Sequence, residues 1–212
     1  MLKLIEIFSS IQGESSYIGY PCIFIRFAEC NLRCNYCDTK YSYKANFSLN
    51  VANILDEIRK YHPIKLVEIT GGEPLLQAEI TDLVEALLTN NYQVLLETNG
   101  SLSLDKIDKR VHKIIDVKTI KSGSKNSFCM ANLDYMTSQD ELKFVISDYD
   151  DYLWSKDFIF ENNLLGRNIL FSPVYDRIAP DILVAWIVED KLNVRFQLQI
   201  HKYIWDPNKQ GV

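Results

Sequence analysis

The chain has 212 residues, 47% hydrophobic and 24% charged, the balance of a soluble globular protein and not of a disordered or fibrous one. Its 23 basic and 28 acidic side chains leave a net charge of −5, so no overall basic surface exists to hold a nucleic-acid backbone by counterion release, and no direct nucleic-acid partner is expected. No run of about 18 apolar residues occurs, and the opening Met1 to Ile7 lacks the charged-then-apolar build of a secretion signal. The expectation is a cytoplasmic protein with no membrane partner, folded as one domain over 1–212.

Strand-like runs alternate with helix-like runs almost throughout. Short, β-branched, apolar segments predict strands over 4–8 and 22–27, then a helix over 48–61 with Ser48 placed to cap it. A strand over 66–70, a helix over 80–90 and strands over 93–97, 113–117 and 141–146 follow. A helix over 148–162, a strand over 168–171, a helix over 181–192 and a strand over 194–200 complete the chain. This alternation predicts an α/β fold of βα units joined through parallel strands. The polar, glycine-bearing segments 28–40, 71–74, 98–100 and 172–173 each follow a strand, and in such a fold these loops gather at the carboxyl edge of the sheet, where ligands bind.

Five cysteines stand at 22, 30, 34, 37 and 129. An odd count with three inside eight residues is a poor disulfide framework and suggests metal binding. Cys30, Cys34 and Cys37 share one loop as Cys-x3-Cys-x2-Cys. Iron–sulfur clusters normally take four thiolates and structural zinc four ligands, so three thiols without a fourth leave a coordination position open. The alternatives are a zinc knuckle completed by a distant histidine, His62, His112 or His201, or three unrelated buried thiols. Cys22 reads as a core residue and Cys129 as an incidental thiol. After the strand over 66–70, Thr70-Gly71-Gly72-Glu73-Pro74 brings backbone close to a ligand and offers a carboxylate to a cationic amino group; alone it would be a turn.

Together, the cysteine loop with Tyr36 before its last thiol and the downstream Gly-Gly-Glu segment resemble the radical S-adenosylmethionine superfamily. The resemblance implies an incomplete (β/α) barrel with its site at the carboxyl ends of the strands; a full eight-unit barrel typically needs about 250 residues. It implies a [4Fe–4S] cluster on Cys30, Cys34 and Cys37, and S-adenosylmethionine chelating the fourth iron. One-electron cleavage of that cofactor supplies a radical that abstracts a substrate hydrogen. Cofactor contacts are implied at Gly72, Glu73 and Asn99, then at Asp116, Val117 and Lys118, and at Ser172, Pro173, Val174 and Tyr175. Asp116-Val117-Lys118 departs from the Ser-Pro-Lys common among relatives.

Four further segments narrow the resemblance: Gln12-Gly13-Glu14, the strand Pro21-Cys22-Ile23-Phe24-Ile25-Arg26-Phe27, Cys37-Asp38-Thr39, and Gln199-Ile200-His201-Lys202-Tyr203-Ile204-Trp205. These resemble the 7-carboxy-7-deazaguanine synthase family, which turns 6-carboxy-5,6,7,8-tetrahydropterin into 7-carboxy-7-deazaguanine with loss of ammonia, on the route to 7-deazapurines such as queuosine. The resemblance implies that Gln12, Gly13 and Glu14 read the amino-pyrimidinone edge and that Arg26 pairs with the substrate carboxylate. Thr70, His201 and Pro207 would face the pterin, and Thr39 would ligate Mg2+. An external electron donor of the flavodoxin or ferredoxin type and a homodimer are implied too. No acid–base residue is assigned, because the hydrogen removed sits on an unactivated carbon that no side-chain base would readily deprotonate. Two rival readings are an activase that installs a glycyl radical on a partner protein, and a non-catalytic iron–sulfur or zinc protein acting as sensor or electron carrier.

Overall fold

The computed structural model describes all 212 residues. β1 (Leu2–Ile11) and β2 (Pro21–Phe27) pair antiparallel, with Ile11 opposite Pro21 and Leu4 opposite Phe27. The short β3 (Phe47–Leu49) pairs antiparallel with the other edge of β1. The parallel pattern expected from the sequence therefore begins only after this hairpin, because the connection over 12–20 is too short for a crossover, which takes a dozen residues or more. From β2 onward every neighbour is parallel: β4 (Leu66–Gly71), β5 (Gln93–Thr98), β6 (His112–Asp116), β7 (Glu141–Ile146), β8 (Asn168–Pro173) and β9 (Arg195–Phe196). The sheet runs β3-β1-β2-β4-β5-β6-β7-β8-β9, and its two edges do not pair. The barrel is incomplete, as expected.

Helices α1 (Val51–Arg59), α2 (Ile80–Thr89), α4 (Tyr149–Glu161) and α5 (Pro180–Glu189) pack on the outer face, with the short α3 (Asn132–Tyr135) before β7. Alternate strand residues divide between two layers. Val67, Ile69, Leu96, Ile115, Leu142 and Phe144 join Ile54, Leu83, Leu87, Tyr152 and Leu183 in one core between sheet and helices. Their neighbours in sequence, Glu68, Thr70, Glu97, Asp116 and Lys143, point the other way, into the barrel, where they line a cavity.

Two expected elements change. The first helix starts at Val51, and Asn50 caps it by accepting from the Asn53 N–H at 2.8 Å. Ser48 is committed to β3, opposite Lys3. The strand expected over 194–200 shrinks to Arg195–Phe196, and the chain turns into α6 (His201–Ile204). No helix is long and apolar enough to cross a membrane.

Candidate active site

Residues 12–15 leave β1 and run across the inside of the barrel instead of around its base. The Gln12 amide donates to the Glu68 carboxylate on β4. The Glu14 carboxylate accepts from Lys143 Nζ on β7 at 2.9 Å and from Gln199 Nε2 at 2.8 Å. Ser15 N–H donates to Gln197 Oε1 at 2.8 Å, and Gln197 Nε2 donates back to the Ser15 carbonyl at 2.9 Å. The Ile200 N–H reaches the Gly13 carbonyl at 3.1 Å. This crossing strap ties the end of β1 to the segment 197–200 that follows β9 and floors a cavity of about 610 Å3. Glycine at 13 lets His201 pack against the strap, since a Cβ there would lie 2.2 Å from His201 Nδ1 and push that side chain away.

The charges above the floor are concentrated on β4 to β7. Lys143 Nζ contacts Glu14 and Glu97 and lies 3.8 Å from Asp116. Burial opposes its charge, but the Glu14, Glu97 and Asp116 carboxylates raise Lys143 well above the ordinary ammonium value. Burial likewise resists ionisation of Glu97, and Lys143 overrides it, so Glu97 is held below the usual carboxylate range. Glu68 has no such partner; burial and the neighbouring Glu97 push it well up. Thr70 donates to Glu97 at 3.1 Å. Arg26 is held by Glu6, which accepts from its Nε at 2.9 Å and from Tyr41 OH at 3.1 Å. The terminal guanidinium nitrogens carry no protein acceptor and face the cavity.

The cysteine loop forms the opposite wall. Cys30, Cys34 and Cys37 are unpaired thiols, half-buried, and all three line the cavity. Asn35 N–H bonds the Ser122 carbonyl at 2.9 Å, and Tyr36 OH lies 3.2 Å from Thr119 Oγ1 and 3.3 Å from the Val145 carbonyl. Gly72 packs flat against this loop, since a Cβ there would stand 2.0 Å from the Glu29 carbonyl and 3.0 Å from Cys30 Cβ. Asn99 Nδ2 approaches Cys30 Sγ at 3.7 Å. Thr39 donates to Asp38 Oδ1 at 2.9 Å, and Lys202 of α6 holds Asp38 Oδ2 at 2.6 Å. From there the chain end folds back, and Pro207 to Val212 complete the cavity lining.

The cavity thus gathers Gln12, Gly13, Glu14, Arg26, Cys30, Cys34, Cys37, Thr39, Thr70, Gly72, Asn99, Asp116, Lys118, Val174, His201 and Pro207. Five expected cofactor contacts do not line it. Glu73 is wholly buried and bonds inward, accepting from the Leu75 N–H at 3.0 Å, the Thr98 hydroxyl at 2.8 Å and the Asn99 N–H at 2.8 Å. Its side chain therefore ties the Gly-Gly-Glu turn to the end of β5. Val117 belongs to the outer core by strand alternation, and Ser172 is fully buried. Pro173 and Tyr175 line a separate groove of about 350 Å3 beside α6. The sequence reading missed Glu68 and Lys143 as site residues; the available signal was an ionisable side chain in mid-strand among apolar neighbours.

Residues 24–120 match the Radical SAM superfamily. The chain is 43% identical over 226 residues to the 7-carboxy-7-deazaguanine synthase of Koribacter versatilis, with 100% of both chains covered. It is 43% identical over 215 residues to that of Chlorobaculum tepidum, covering 100% of this chain and 97% of the relative. The chain belongs to the 7-carboxy-7-deazaguanine synthase family. Its fold agrees: the crystal structure of QueE from Escherichia coli superposes with a TM-score of 0.76 at 20% identity, covering 92% of this chain and 93% of that one. Streptococcus suis SuiB bound to S-adenosylmethionine gives a TM-score of 0.54 at 16% identity over 82% of this chain and 47% of its own.

The 7-carboxy-7-deazaguanine synthase family, as a branch of the radical S-adenosylmethionine enzymes, carries a [4Fe–4S] cluster and S-adenosylmethionine, and two observations fit them here. Three free thiols face one cavity with no fourth cysteine among its lining, which suits a cluster with one iron left for a ligand. No three His, Cys, Asp or Glu side chains converge on a single ion position, and a polynuclear cluster, which takes each thiolate at a separate iron, needs no such convergence. Asp116 Oδ1 is buried in the cavity wall without a partner, so a ligand with a hydroxyl or amino donor would satisfy it.

Proposed function

We propose that this protein converts 6-carboxy-5,6,7,8-tetrahydropterin into 7-carboxy-7-deazaguanine with loss of ammonia, a ring contraction on the way to 7-deazapurines. The observation that carries the reading is the strap over 12–15, which sets the Glu14 side chain and the Gln12 amide on the cavity floor opposite three free thiols.

A carboxylate accepts two parallel hydrogen bonds from an amino-pyrimidinone edge, and Lys143 Nζ, 2.9 Å away, holds the Glu14 side chain in place for that task. Arg26, anchored through Nε by Glu6, has its remaining guanidinium nitrogens free for a bidentate pair with the substrate carboxylate. Thr70, beside Glu97, and His201, against Gly13, bound the pterin on two further sides. Cys30, Cys34 and Cys37 would hold the [4Fe–4S] cluster, and the cluster with S-adenosylmethionine supplies the radical that removes the C6 hydrogen. Gly72, Asn99, Asp116, Lys118 and Val174, which line the same cavity, would contact S-adenosylmethionine. The closing residues Pro207 to Val212 exclude water, which a reactive radical requires.

The Thr39 hydroxyl, next to the last cluster thiol, is the proposed Mg2+ ligand; magnesium keeps few protein ligands and completes its sphere with substrate oxygens and water. A second copy of the chain is the proposed partner in a homodimer, supported by the exposed apolar side chains Ile182 and Val188 on α5. The deciding experiment is anaerobic turnover of reconstituted protein with S-adenosylmethionine, dithionite, Mg2+ and the pterin, followed by mass spectrometry. Appearance of 7-carboxy-7-deazaguanine is the expected result. 5′-Deoxyadenosine without it would keep the radical chemistry and reject the substrate.

A further inference from the structure

Glu68 stands apart from the other carboxyl groups that line the cavity. Glu14, Glu97 and Asp116 share Lys143, and Asp38 is held by Lys202, whereas Glu68 forms no ion pair. Of the cations within the barrel, Arg26 is taken by Glu6 and Lys118 by Asp116. Glu68 lies in mid-β4, opposite Phe24 of β2 and Leu95 of β5. The inward side chains around it, Cys22, Phe24, Leu66, Leu95 and Ile114, form an apolar plug, and only 3% of Glu68 is exposed. An ionised carboxylate placed there has neither water nor a cation to offset its lost hydration, so the side chain keeps its proton. One end of the carboxyl group is fixed. Gln12 Oε1 accepts the Glu14 N–H at 3.1 Å, which leaves Gln12 Nε2 to donate to Glu68 Oε2. Reversing the Gln12 amide would set two donors against each other at the Glu14 N–H. Glu68 Oε1 is left with no protein partner, on a residue that faces the cavity.

We infer that Glu68 is a specificity-determining residue for the pterin, presenting a carboxyl O–H to the ring carbonyl of the amino-pyrimidinone. The inference deepens the proposed function and rests on it. The edge of that ring carries an amino group, a ring N–H and a carbonyl side by side. The Glu14 carboxylate accepts from the first two, and the carbonyl then needs a donor. A carboxylic acid beside the carboxylate supplies it, whereas a second carboxylate would repel that oxygen. A pteridine with an amino group in place of the carbonyl turns a donor toward the Glu68 O–H, so the site rejects it.

Direct binding tests this without turnover. Anaerobically reconstituted protein with S-adenosylmethionine is titrated by calorimetry with 6-carboxypterin, which keeps the same edge. Glu68→Gln retains a neutral donor and should bind within about threefold of wild type, whereas Glu68→Leu should bind at least about tenfold more weakly. Wild type should prefer 6-carboxypterin to 2,4-diaminopteridine-6-carboxylic acid, and that preference should shrink by about tenfold in Glu68→Leu. A side chain that merely held Gln12 would weaken both ligands alike, and an equal preference in wild type and Glu68→Leu would overturn the inference. Should leucine disturb the floor, the infrared difference spectrum between wild type and Glu68→Gln decides. A protonated carboxyl band at neutral pH that the glutamine variant lacks is expected; without that band in the wild type the inference fails. Failure of the wild type to bind 6-carboxypterin at all would reject the proposed function and take the inference with it.

Discussion

A cysteine that holds iron and a cysteine that fills a core differ in what their loss leaves behind. Cys34 is half-buried and faces the cavity, so Cys34→Ala should leave the far-ultraviolet circular dichroism unchanged while abolishing the thiolate-to-iron absorbance and the chemistry; a variant that retains full activity would reject the cluster assignment. His201 offers a pH-dependent test. Burial holds its imidazole below the ordinary value even though the Glu14 carboxylate pulls the other way. A depressed native pKa means that the released side chain binds a proton more readily than the docked one. Docking of α6 is therefore fully stable above the ordinary imidazole value of about 6.5 and weakens as pH falls through it toward the lower native value. Hydrogen exchange at the amides of 201–204 should lose protection over that interval, and His201→Asn should flatten the dependence. Protection that does not change with pH in the wild type would rule this out.

At the scale of elements, the start of α1 separates two capping candidates. Asn50→Ala should cost about 1 kcal/mol in urea denaturation, as loss of a helix cap does, whereas Ser48→Ala, in an exposed edge strand, should cost a few tenths at most. A reversal of that order would move the cap back to Ser48. The difference shows what was legible in the chain. Apolar periodicity placed the helix but not its first residue, because Ser48 and Asn50 have equal capping chemistry and only the pairing of β3 with β1 removes one of them. The cysteine spacing, the Gly-Gly-Glu turn and the parallel strands were readable because each is a local pattern. The floor was not. Gln12 meets Glu68 across 56 residues and Glu14 meets Lys143 across 129, and no local pattern announces a partner at that distance. The inward hydrogen bonds of Glu73 were hidden for a related reason, since two of them depend on the end of β5, which a turn motif does not display.

For the whole molecule, the chain end acts as a wall of the cavity. Ending the chain after Asp206 removes that wall while leaving the cysteine loop and β1 to β9 intact. The truncated protein should assemble its cluster normally and bind the pterin at least about tenfold more weakly; an unchanged dissociation constant would mean that Pro207 to Val212 merely lie near the site. The strap over 12–15 has a different consequence, one for the order of assembly. Its partner Gln197 lies 182 residues away from Ser15, so the contact bears a loop-closure cost that few other contacts in the molecule share. A chain leaving the ribosome can pair every strand through β8 and still present an open trough. Substrate recognition begins only when the segment around 197–201 arrives to hold the strap, which makes the pterin chamber the last part of the fold to form during synthesis.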